Sequence, residues 1–194
     1  MFHGIRASLA FVFGSDKLDG RTVVVQGAGG VGSSLAERLA AAGATVLIAD
    51  IDLGRARAVA ARVGGTAVPA DEIFQHESDV YAPCAVGGVL STETVPMLHC
   101  RIVAGSANNQ LADADAAELL RTGGILYAPD YVINGGGAIA LVGREQLGWD
   151  TRELDAALEG IGTTLRQIYR RAEQQGVSTA AAADALADER LQAA

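Results

Sequence analysis

The sequence predicts an α/β fold: one mainly parallel sheet, doubly wound with helices on both faces, and a helical C-terminal extension. Three observations carry this expectation. Short β-branched runs alternate with amphipathic stretches between residues 20 and 137, the pattern of successive β-α units. A glycine-rich turn, Gly27-Ala28-Gly29-Gly30-Val31-Gly32, joins the run Val23-Val24-Val25 to a stretch that places Leu35 and Leu39 four residues apart. The unusual loops also fall where strands would end, and parallel sheets take their ligands outside the carboxyl ends of the strands.

The elements follow in order. Residues 1–14 read as a leading helix with Ile5, Leu9, Val12 and Phe13 on one side, and residues 14–20 as a turn before the first strand. Gly27, Gly29 and Gly32 then fit G-x-G-x-x-G, with a strand before them and a helix after. In a dinucleotide site of the Rossmann type, the first glycine permits a tight turn, the second lets the backbone approach a pyrophosphate, and the third lets helix pack closely on strand. The helix that follows offers free N–H groups to the phosphates. A second strand over residues 44–49 ends at Asp50, 18 residues beyond Gly32 (50 − 32), where a carboxylate accepts hydrogen bonds from the adenosine ribose. A glycine turn serving structure alone is the alternative, since such turns are common.

Asp52 is placed to cap a helix over 53–63, which Gly64-Gly65 ends. Residues 66–68 make a short third strand and 71–75 a helical turn. Residues 78–84 hold a fourth strand, which Pro83 should end because proline cannot donate to a ladder. A short helix over 92–98 and a fifth strand over 101–104 follow, with the exit loop Gly105-Ser106-Ala107-Asn108-Asn109-Gln110. A helix over 113–122 and a sixth strand over 125–128 complete the pattern. Helices are then expected over about 138–147, about 151–175 and from Ser178 to about Ala187. The 194 residues thus read as one domain, with a leading helix at 1–14, a nucleotide-binding core at 20–137 and C-terminal helices at 138–194.

Composition sets bounds. Half the chain is hydrophobic (49%), no apolar run is long enough to span a membrane, and the start lacks the architecture of a secretory signal, so a cytoplasmic protein is expected. A net charge of −8 leaves no basic stripe for nucleic acid. Cys84 and Cys100 lie 16 residues apart and His3, His76 and His99 are scattered, which points to reduced thiols and no metal site. The single lysine, Lys17, is the more telling count, because every other basic residue apart from histidine is an arginine that stays protonated.

Three exit loops, Ala82-Pro83-Cys84-Ala85-Val86-Gly87-Gly88, residues 105–110 and Tyr127-Ala128-Pro129-Asp130-Tyr131-Val132-Ile133-Asn134-Gly135-Gly136-Gly137, resemble those of the amino-acid dehydrogenases for leucine, phenylalanine and valine. The match runs over about residues 4–190 and covers the cofactor half of that family's two-domain subunit. The resemblance implies NAD(H) as cofactor, with Gly27, Gly29, Gly30, Val31 and Gly32 at the phosphates and Asp50 at the ribose. Ala85 and Val86 would lie beside the adenosine, and Asn108 and Asn134 near the nicotinamide. For the two asparagines, hydrogen bonding to loop backbone is the alternative. Ala138 and Leu141 fall where the family shapes its substrate pocket, with helix packing as the alternative.

The family oxidatively deaminates an L-amino acid, or aminates a 2-oxo acid in reverse, with two lysines and an aspartate on an N-terminal domain that this sequence does not contain. Lys17 matches neither lysine. An oxidoreductase acting on C–N bonds is therefore expected, in one form an enzyme that reduces a preformed imine, with Asp130 and Tyr131 as candidate proton donors. A non-catalytic NAD(H)-binding subunit, or an isolated cofactor domain, is the alternative. Small amines, imines or oxo acids are the expected substrates. Asp50 should repel a 2′-phosphate, and Arg55 and Arg57 are not expected to rescue NADP(H). A homodimer is expected, on the view that the cofactor cleft and the apolar faces of helices 1–14 and 151–175 stay partly uncovered.

Overall fold

In the computed structural model, which describes residues 1–193, the chain begins with helix α1 (Phe2–Phe13) and enters the sheet at β1 (Thr22–Gln26). There follow α2 (Gly30–Ala41), β2 (Thr45–Ala49), α3 (Leu53–Val63), β3 (Thr66–Val68), β4 (Val80–Pro83), β5 (Ile102–Val103), α4 (Ala114–Thr122) and β6 (Leu126–Tyr127). All strand pairs are parallel, in the order β3-β2-β1-β4-β5-β6. This is the doubly wound Rossmann order, and the chain reverses its direction of winding between β1 and β4.

The period-two alternation of β1 shows why both faces are covered. Val23 and Val25 pack into one core with Ile5, Leu39 and Leu165, while Val24 packs into the other with Tyr81, Val103 and Leu120. Strands buried on both faces read as continuous apolar runs, as Val23-Val24-Val25 does.

Several elements differ from the sequence expectation. The helix expected over 92–98 is only a 3₁₀ turn, Val95–Met97. Pro96 has no N–H to donate, and Thr94 Oγ1 bonds the Ser91 N–H (2.9 Å) and the Val89 carbonyl (2.6 Å), so local bonds replace a helical ladder. Residues 130–133, expected within a loop, form the short helix α5 (Asp130–Ile133). Helix α6 (Gly136–Leu141) begins two residues early (138 − 136) and passes into a π turn at Val142–Gln146. Helix α7 (Thr151–Gln175) opens on a reciprocal capping box between Asp150 and Glu153, and α8 (Thr179–Gln192) runs five residues past its expected end (192 − 187).

The apolar faces of α1 and α7 are not uncovered. They pack on each other and on the sheet, with Ile5, Leu9, Leu165, Ile168 and Tyr169 all buried. Exposed large apolar residues instead gather near the strand exits and beyond, among them Val31, Val86, Tyr131, Leu141 and Leu147. Among the described residues no helix is long and apolar enough to cross a membrane. Both cysteines are unpaired; burial pushes the Cys84 thiol up and Cys100 up to about 12, so neither is a thiolate at neutral pH.

Candidate functional site

Because every strand is parallel, the exits of β1, β2, β4, β5 and β6 share one rim. The glycine turn occupies its centre. Gly27 has a φ of 101°, closed to most side chains, and its N–H donates to the Ala49 carbonyl on β2 at 2.7 Å. A Cβ on Gly32 would lie 1.9 Å from the Gly27 carbonyl oxygen, so only glycine lets α2 seat this close to β1. No side chain caps the α2 N-terminus, and Cβ positions at Gly29 and Gly30 are open. Uncapped N–H groups in an unobstructed cradle fit a pyrophosphate.

At the β2 exit the Asp50 carboxylate is only 8% exposed. One oxygen accepts from the Ala28 N–H at 2.8 Å, which ties it to the glycine turn, and the other from the Asp52 N–H at 2.9 Å. Burial pushes its pKa up, but those two bonds and the Arg55 guanidinium together outweigh it and hold Asp50 below its ordinary value. Asp50 is therefore ionised at neutral pH. The exit of β4 closes against the turn, since a Cβ on Gly27 would stand 3.0 Å from the Ala85 Cβ. Val31, Val86 and Ile51 present apolar surface around it, and Ile51 is 98% exposed.

The β5 and β6 exits meet farther along the rim, where Asn134 Nδ2 donates to Asn108 Oδ1 at 2.5 Å. These residues are 26 apart in sequence. The buried Gln110 side chain braces the β5 loop by donating to the Gly105 and Ala107 carbonyls at 3.0 and 2.9 Å. The Asp130 carboxylate bolts the two loops together, accepting from the Gln110 N–H at 3.1 Å and the Tyr131 N–H at 2.8 Å. A cleft of about 850 Å³ runs from Val31 past Ser106, Asn108, Tyr131 and Asn134 to Ala138. Leu141, one turn beyond Ala138 and 56% exposed, is outside its lining. A second groove, of about 410 Å³, lies at the β6 edge between Phe11, Leu120 and Tyr169 and shares none of these loops.

Asp130 and Tyr131, the expected proton donors, both stand at the cleft with hydrogen-bond partners of their own. Asp130 spends its oxygens on backbone N–H groups. Tyr131 Oη donates to Asp184 Oδ1 on α8 at 2.6 Å, and burial first, then that carboxylate, pushes its pKa up, so it gives up a proton less readily. Three contributors escaped the sequence reading. Ile51 was signalled only as an apolar residue directly after Asp50. Gln110 was visible as the end of the β5 loop but not as its brace. Asp184 stands 53 residues from Tyr131, with no local signal.

The fold has counterparts among known proteins. The family model described as Glutamate/Leucine/Phenylalanine/Valine dehydrogenase matches residues 48–194. The chain is 38% identical over 191 residues to a leucine dehydrogenase of Bacillus cereus, covering 98% of itself and 52% of that protein. It is 40% identical over 192 residues to an L-tryptophan dehydrogenase of Nostoc punctiforme, covering 98% of itself and 54% of that protein. The crystal structure of L-tryptophan dehydrogenase from Nostoc punctiforme superposes with a TM-score of 0.94 at 39% identity, over 100% of this chain and 58% of that one. A hetero-hexameric glutamate dehydrogenase from Thermus thermophilus gives 0.74 at 28% identity, over 97% and 51%. The chain spans about half the length of the curated relatives it matches.

Proposed function

We propose that this chain, which belongs to the glutamate/leucine/phenylalanine/valine dehydrogenase family, binds NAD(H) along its rim and serves an oxidoreductase acting on a C–N bond. The observation that carries the reading is the Asn108–Asn134 pair, which stands at the cleft that begins at the glycine turn. The α2 N–H groups and Asp50 would hold pyrophosphate and ribose, and the two amides would orient the carboxamide or the substrate beside it. The cofactor, when bound, supplies the hydride. The residues of this chain hold it in place and shape the cleft, and correct placement is worth orders of magnitude in rate.

A finer reading concerns the substrate. Among the described residues, the side chains lining the cleft include no lysine, arginine or histidine, and Lys17 precedes β1, at the opposite end of the sheet from the rim. Deamination needs a base to activate water, whereas a preformed imine needs chiefly a hydride and a pocket. These residues by themselves therefore suit imine reduction better than amino-acid deamination. Exposed apolar residues in the cleft, Val31 and Tyr131, and outside it, Leu141 and Leu147, also support a two-fold pair of chains. The deciding experiment follows NADH oxidation with a cyclic imine and with a 2-oxo acid plus ammonia. Turnover of the imine alone is expected. Robust amino-acid deamination would overturn the finer reading, and NADH binding without any turnover would favour a non-catalytic subunit. A monomer in light scattering at micromolar concentration would count against the pair.

A further inference from the structure

The side chains around Asp50 bear on which cofactor the site admits. Among the described residues Asp50 is the carboxylate tied to the glycine turn, but it stands withdrawn, 8% exposed and with a backbone N–H already on each oxygen. Arg55, from the first turn of α3, holds a guanidinium 3.7 Å from Asp50 Oδ1 and is 55% exposed. Its second contact, to Asp52 Oδ2, is 3.8 Å. Both separations exceed a hydrogen bond, so the guanidinium is near its carboxylates without being locked to them. Of the three charged groups here, Asp52 is also 55% exposed, and one of its oxygens is committed to capping α3 through the Arg55 N–H.

A ribose held by Asp50 brings its 2′ substituent toward the groups that flank Asp50. A bare carboxylate there would repel a phosphate. A carboxylate sunk beneath an exposed arginine does so less, because the arginine offsets the charge and offers donors in a fork that matches phosphate oxygens. We infer that Arg55 makes this site tolerant of a 2′-phosphate, so that NADPH binds alongside the preferred NADH and the Asp50–Arg55 pair sets the ratio between them. The inference rests on the cofactor reading above and adds the residue that tunes it. It runs against the expectation that Arg55 would not rescue NADP(H), and the binding experiment decides between the two.

The test is equilibrium binding rather than turnover. Cofactor fluorescence gives the dissociation constants of NADH and NADPH, and calorimetry compares 5′-AMP with adenosine 2′,5′-bisphosphate, which isolates the adenosine end. The unaltered chain should bind NADPH within about tenfold of NADH. Arg55→Ala lies on an exposed helical face and should fold; it should weaken NADPH and the bisphosphate by about tenfold or more, the worth of a charge-assisted hydrogen bond, and leave NADH and 5′-AMP within about twofold. The NADPH constant should also rise more steeply with salt in the parent than in the variant. An unchanged NADPH-to-NADH ratio in Arg55→Ala would overturn the role of Arg55. NADH binding with no measurable NADPH binding by the parent would overturn the tolerance itself. Failure of both cofactors to bind would instead overturn the cofactor reading on which the inference stands.

Discussion

The rim has two halves built on different principles. Around the glycine turn, the groups that face a ligand are mostly backbone N–H donors, placed by residues that lack side chains, and the one carboxylate involved lies within 22 residues of the turn it braces. Around Asn108 and Asn134 the polar groups are side chains, and their placement depends on contacts between residues 20 to 53 apart in sequence. In the first half, Gly27 and Gly32 leave no room for an added atom. The second is held by hydrogen bonds that single substitutions remove one at a time. Affinity should thus reside mainly in the first half and positioning in the second.

The sharpest way to break this contrast is at Gly32. A side chain there meets the Gly27 carbonyl, so Gly32→Val should force α2 off β1. Loss of NADH binding and a destabilisation of about 3 kcal/mol, the upper range for overpacking, are expected in fluorescence titration and thermal unfolding. Asn108→Ala and Asn134→Ala come next. Each should lower kcat/KM for imine reduction by about a hundredfold, the usual cost of misplacing reacting groups, with NADH affinity nearly unchanged. A parallel loss of NADH affinity would erase the division between the halves.

Asp50→Ala should weaken NADH by about tenfold, as expected for loss of hydrogen bonds to a charged group. Its acid dependence has a definite sign. The folded pKa of Asp50 is depressed, so its stabilisation is fully present above the ordinary value of 3.8 and is lost as pH falls through the lower folded value. Asp50→Asn should flatten that acid limb, read as melting temperature against pH from about 5 downward. The smallest effect belongs to Tyr131→Phe, which removes only the bond to Asp184. About 1 kcal/mol of stability should go, with NADH binding intact. A hundredfold fall in imine reduction together with a changed pH profile would instead mark Tyr131 as a proton donor.

Much of this molecule was legible from local chemistry. The alternation of strands and helices, the glycine turn, the cap at Asp52 and the glycine ending α3 all act within a few residues of themselves. Short-range chemistry therefore determined them, and it also put Asp50, Asn108 and Asn134 at strand exits. Tertiary structure decided what those exits do to one another. The strand order β3-β2-β1-β4-β5-β6 brought Asn108 to Asn134 and Asp130 to Gln110. Packing of α7 against α1 buried two faces expected to be open, and the return of α8 gave Tyr131 its partner at Asp184. The same division explains Arg55: its place at the start of a helix was readable, but whether its guanidinium turned toward Asp50 depended on how α3 leaves β2. Periodicity and turn chemistry specify elements because their causes are short-range, whereas burial and side-chain partners arise only when elements distant in sequence share one surface.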